Sequence, residues 1–180
     1  FPEDRQLTPY GAPADWTPPV RETGGSAQRA IDALREASRT WAFWALVAAF
    51  AICGATTNGL VGIHFIPAAH DHGMETTTAA GLLAVVGIFD IVGTVASGWF
   101  TDRYDPRLLL AGYYLFRGVG LMLLPVLLAQ SVRPSIVMFV VIYGLDWVAT
   151  VPPTVALCRE YFGEQGTIVF GWVFAAHQLG

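Results

Sequence analysis

Four ionisable side chains stand alone inside long apolar runs of this chain: Asp90, Arg117, Asp146 and His177. A charged group is expensive in hydrocarbon, so such residues face a bundle interior or a watery cavity and pair with one another. Counted from the arginine-bearing helix ends at about 1.5 Å per residue, all four lie roughly 13 to 17 Å deep. That depth puts them in one layer near the centre of an apolar core about 30 Å thick. One chemistry open to the layer is a static ion pair of Arg117 with Asp90 or Asp146. Another is proton transfer: Asp90, in apolar surroundings, takes a proton from one side and releases it to the other. Asp146, flanked by Gly144 and Trp147, suits a structural or a functional role equally. His177 and the adjacent Gln178 suit cavity contacts, against the alternative of a hydrogen-bonded core histidine. Asn58 suits a donor to substrate or, as readily, a bond between helices.

The elements that must carry these residues are legible from composition and length. Of the 180 residues 54% are hydrophobic and 13% charged, and the mean hydropathy is +0.50, which is too apolar for a soluble domain of this size. Apolar runs near 41–67, 78–100, 108–130 and 135–157 each exceed the roughly 20 residues that cross a bilayer, and a fifth occupies 167–180. In lipid, spans of this kind satisfy their backbone groups only as helix, so the predicted fold class is all-α membrane, with the spans in 41–180. Thr56, Thr57, Asn58 and Gly59, and the pair Pro152 and Pro153, mark places where two of these helices bend or break along a cavity.

Residues 1–40 read as a loop with a short interfacial helix. The first 25 residues carry five prolines, and Ser26 is the predicted cap of a helix whose Ala30, Ile31, Leu34 and Ala37 share one face. All ten basic residues are arginines. Arg5, Arg21, Arg29, Arg35, Arg39, Arg103, Arg107 and Arg159 fall on one side of the alternation and Arg133 alone on the other, so the first side is expected in the cytoplasm. The localisation expected is a cell or inner membrane, crossed several times. The chain has no initiating methionine and stays apolar up to Gly180, so a fragment of a larger protein is expected.

Other chemistries find little support. The charge of −4 carries no basic run, so nucleic acid is not an expected partner. Cys53 and Cys158 read as packing residues. His64, His70, Asp71 and His72 lack metal-ligand spacing and read as a hydrated loop, so no metal is expected. A membrane enzyme would need clustered nucleophile and base residues or an H-E-x-x-H run, and neither occurs.

The segment Gly98-Trp-Phe-Thr-Asp-Arg-Tyr-Asp-Pro-Arg107 resembles the signature G-x-x-x-D-R-x-G-x-R/K of the major facilitator superfamily, matching at Gly98, Asp102, Arg103 and Arg107, with Asp105 in place of the second glycine. The resemblance implies a conformational latch: a glycine for close helix approach and a charge cluster joining helix ends. It implies the C-terminal half of a twelve-helix bundle, with helices seven to ten complete and eleven truncated, and a missing N-terminal half as partner. Phe89-Asp-Ile-Val-Gly-Thr94 resembles the monocarboxylate transporter group, in which an Asp precedes an Arg by four residues. Asp90 matches the acid, while Thr94 stands where that group has the arginine. Tyr161-Phe162-Gly163 is similar to a recurrent loop of the superfamily.

The function these resemblances imply is secondary active transport, a proton-coupled movement of a small organic anion such as a monocarboxylate by alternating access. Its partners would be the lipid bilayer and a small-molecule substrate, and it would need no cofactor beyond a proton or other ion gradient. Two alternatives stand beside it. One is efflux of amphipathic drugs or metabolites through a cavity walled by Phe65, Tyr143, Trp147 and Trp172. The other is a non-transporting sensor or assembly protein.

Overall fold

The computed structural model describes residues 25–128 and 134–180. They form helices α1 (Ser26–Ala37), α2 (Trp41–Gly54), α3 (His64–Asp71), α4 (Thr76–Thr101), α5 (Pro106–Leu128), α6 (Pro134–Asp146), α7 (Val151–Phe162) and α8 (Gly166–Leu179), with no strand among the described residues. The expected positions of Arg5, Arg21 and Arg133, and of the loop before Gly25, lie outside those residues. Four helical stretches are long and apolar enough to cross a membrane: Trp41–Asp71, Thr76–Thr101, Pro106–Leu128 and Ile136–Leu179. The last is interrupted twice, at 147–150 and at Gly163, whose φ of +54° is conformationally open to glycine and sits at the end of α7 before a short 3-10 turn leads into α8. The fold is all-α membrane.

Local chemistry sets the helix limits. Ser26 is the first helical residue rather than the cap; Gly25 takes the cap position and offers no side chain to the free N–H groups. The buried face of α1 is Ala33 and Ala37, with Ile31 turned out. Trp172 Nε1 donates to the Ala30 carbonyl at 2.9 Å and ties α1 to α8. Thr40 caps α2, its hydroxyl oxygen accepting from the Phe43 N–H at 3.3 Å.

Two spans are irregular, and each irregularity has a cause in the sequence. Between α2 and α3 the residues Ala55–Ile63 form a π-helix. There the Thr57 hydroxyl donates to the Cys53 carbonyl at 2.7 Å, and that of Thr56 to Ile52 at 2.8 Å, so side chains compete with the backbone for the same acceptors. The expected single span 135–157 is instead two helices, because Pro152 and Pro153 have no N–H to give the carbonyls of Val148 and Ala149 four residues back. Val148 O takes the Val151 N–H at 2.9 Å, and Ala149 O takes the Ser97 hydroxyl of α4 at 2.5 Å.

The apolar core is divided. One cluster gathers Val61, Phe65, Val86, Leu124, Ile136, Phe139, Val140 and Tyr143. The other gathers Ala33, Phe43, Leu46, Phe50, Leu110, Leu157, Val169 and Val173. Between them along the helices lie the buried polar residues Thr57, Ser97, Arg117, Asp146 and Thr150. At this level α4 and α6 touch backbone to backbone: a Cβ on Gly93 would overlap the Leu145 backbone, and one on Gly144 would lie 2.8 Å from Val86 O. Gly98 does not share this role. Nothing among the described residues lies within 4 Å of its Cβ position, so the close approach expected at the signature glycine occurs one helical turn and a half away, at Gly93.

Candidate functional site

Helix α4 brings Asp90 to the edge of the α6–α7 break. The Val148 N–H, freed by the break, donates to Asp90 Oδ1 at 3.0 Å, and Thr94, one turn along α4, donates its hydroxyl to the same oxygen at 3.3 Å. Asp90 is half-buried and is not paired with Arg117. Thr94 therefore acts here as a donor to the carboxylate, a role its hydroxyl can fill where an arginine's charge is absent.

Arg117 takes Asp146. Nε of Arg117 donates to Asp146 Oδ2 at 2.7 Å, with side chains 2% and 8% exposed. Nη2 turns away from the carboxylate to the backbone carbonyls of Asp146 at 2.6 Å and Trp147 at 3.0 Å, and Nη1 donates to Cys53 Sγ at 2.7 Å. Asp146 Oδ1 is left buried with no partner among the described residues. Cys53 is thus more than packing, since it accepts from Arg117 and lies 3.6 Å from Thr150 Oγ1. Beside the pair, a cavity of about 150 Å³ is walled by Phe116, Leu123, Phe139 and Ile142 and offers nothing polar beyond Arg117, Asp146 and Tyr143.

His177 reaches the same level from α8. Its Nε2 lies 3.5 Å from Thr57 Oγ1, its ring stacks on Phe174, and its Nδ1 is buried without a partner among the described residues. Asn58 and Gln178 are exposed and bond to nothing described. The aromatic residues expected to wall one cavity are divided: Phe65 is core, Trp172 serves α1, and Tyr143, which also borders the cavity beside the ion pair, meets Trp147 of the break with ring centroids 5.6 Å apart. His64 and His72 bond their Nδ1 to the carbonyls of Gly59 and Ala68, in the turn of chain just before each, both at 2.8 Å.

At the arginine-rich end, the signature residues behave unequally. Arg107, in the first turn of α5, donates to Tyr161 Oη at 3.0 Å and pairs with Glu160 of α7 and with Asp105. Arg103, in the turn after α4, folds back on that helix, 4.0 Å over the Trp99 ring, and Asp102 makes no ion pair among the described residues. The contact between helix ends is therefore Arg107 with Glu160 and Tyr161. The sequence reading missed Glu160, Ser97, Thr150 and Cys53. Small polar residues in an apolar run look like packing residues until their partners are known; Glu160, next to the Tyr161-Phe162-Gly163 loop, was the one visible signal.

Comparison with known proteins follows the same line. The sequence model of the Major Facilitator Superfamily matches residues 3–180. Among curated proteins, the chain is similar to "Monocarboxylate transporter 13" of Rattus norvegicus, 35% identical over 104 residues, which is 56% of this chain and 23% of that protein. It is also similar to "Uncharacterized MFS-type transporter YcxA" of Bacillus subtilis (strain 168), 27% identical over 132 residues, covering 71% of this chain and 31% of that one. A third is "Monocarboxylate transporter 12-B" of Danio rerio, 30% identical over 115 residues, or 60% and 24% of the two chains. The chain spans about a quarter to a third of the length of these relatives. No solved structure matches it.

Proposed function

The chain belongs to the major facilitator superfamily, and we propose that it is part of a secondary active transporter that couples proton movement to a small organic anion such as a monocarboxylate. Two of its relatives are named as monocarboxylate transporters. In this reading the spans in 41–180 are helices seven to ten and part of the eleventh of twelve, the arginine-rich end is cytoplasmic in a cell or inner membrane, and the other half of the protein forms the facing cavity wall.

The observation that carries the coupling role is Asp90. It is the carboxylate of the layer that pairs with no arginine among the described residues, held by one amide and one hydroxyl at the edge of a helix break. A carboxylate in that state can exchange a proton without tearing an ion pair. Arg117 is engaged by Asp146 and two carbonyls, so the charge that recognises an anion comes from elsewhere, with His177 as this chain's candidate and the other half of the protein as a second source.

The test is uptake of monocarboxylates by the whole protein in proteoliposomes under an imposed pH gradient. Asp90→Asn should abolish proton-driven accumulation while leaving exchange of substrate across the membrane. Accumulation that survives Asp90→Asn would remove Asp90 from the coupling role.

A further inference from the structure

We propose that Arg117 is a positioning residue whose partner is the α6–α7 break itself, holding residues 146–150 in shape while the helices on either side swing during transport. Its geometry departs from that of an arginine placed to neutralise an acid. A guanidinium facing a carboxylate ordinarily binds both oxygens in a parallel fork. Here Nε alone meets Asp146, Oδ1 is left buried without a partner, and Nη2 takes the carbonyls of Asp146 and Trp147.

Those carbonyls need a partner for a reason written in the sequence. Pro152 and Pro153 end the regular ladder, and the Val151 N–H that a continuous helix would give to Trp147 O goes to Val148 O instead. Unpaired carbonyls in an apolar core are costly, and they would otherwise draw the break into a different turn. Two neighbouring helices meet the need, Ser97 of α4 at Ala149 O and Arg117 of α5 at Asp146 O and Trp147 O, while Asp90 takes the Val148 N–H and Cys53 Sγ of α2 lies 3.6 Å from the Thr150 hydroxyl. Of these Arg117 takes two carbonyls at once, and it is the member whose charge never leaves it. The apolar walls of the neighbouring cavity agree with a guanidinium directed at backbone rather than at a solute.

The experiment uses the whole protein and reads two quantities. Arg117→Met with Asp146→Leu removes both charges together, which leaves no stranded ion and should preserve folded yield. Amide hydrogen exchange over residues 147–151 should then quicken about tenfold, the factor that one hydrogen bond of ordinary net strength carries, with the amides of the two apolar clusters unchanged. Uptake, which rests on the transport reading above, should lose Vmax at unchanged KM. Arg117→Lys, whose single ammonium cannot span the same acceptors, should show the same local exchange change and serves if the double variant does not fold. Unchanged exchange at 147–151 in a folded variant would overturn the proposal, as would a raised KM at intact Vmax, the mark of an arginine that touches substrate. If the protein transports no monocarboxylate, the exchange measurement still decides the role of Arg117.

Discussion

Helix α5 carries two arginines that reach the same neighbouring segment of chain in opposite media. Arg107, in its first turn, meets Glu160 where both side chains are about half exposed, at 47% and 48%. Arg117, ten residues or about 15 Å further along, meets Asp146 where almost nothing is exposed. Water can replace either partner of the first pair, so that contact forms and opens at little cost. Nothing replaces a partner of the second, because a lone charge in that core has no solvent to turn to. In the proposed transporter, one pair suits a contact that changes between states, and the other suits the frame against which change occurs.

The strongest way to break this contrast is Arg117→Ala. It strands Asp146 beside two unpaired carbonyls and should cost about 3–5 kcal/mol, read as a loss of folded protein and a lowered midpoint of thermal unfolding in detergent. A smaller effect should come from Gly93→Leu, which keeps every charge but forces α4 off the Leu145 backbone; overpacking of this kind costs about 1–3 kcal/mol. The same unfolding measurement would show whether the buried layer depends on the tight seam as well as on the ion pair. Smallest of the three, Arg107→Gln should leave the unfolding midpoint within experimental scatter and instead alter the salt dependence and rate of uptake by the whole protein. A midpoint that falls as far for Arg107→Gln as for Arg117→Ala would erase the distinction.

Much of this is legible in the amino-acid sequence. Long apolar runs can only be membrane helices, and an isolated charge in such a run is conspicuous, so Asp90, Arg117, Asp146 and His177 could be singled out and assigned a depth. Which acid Arg117 chooses could not be read, because depth says nothing of rotation about the helix axis, and Asp90 and Asp146 lie at similar depth. Asn58 lies on the outside, in a π-helical stretch whose greater number of residues per turn rotates its faces relative to an α-helix. Gly98 drew attention through its motif, yet the backbone contact is at Gly93 and Gly144, since any glycine in a helix permits close approach and only the packing decides which is used. Pro152 and Pro153 announced a break; the side chains that satisfy it come from two other helices, and no local pattern encodes them.

The most direct test of the contrast is a pair of double-mutant cycles on the whole protein, one for Arg117 with Asp146 and one for Arg107 with Glu160, each read by unfolding midpoint. A large coupling at the first pair, with the apolar double variant recovering most of the stability lost by Arg117→Ala, and no resolvable coupling at the second, is the result predicted. Equal couplings at the two pairs would contradict it.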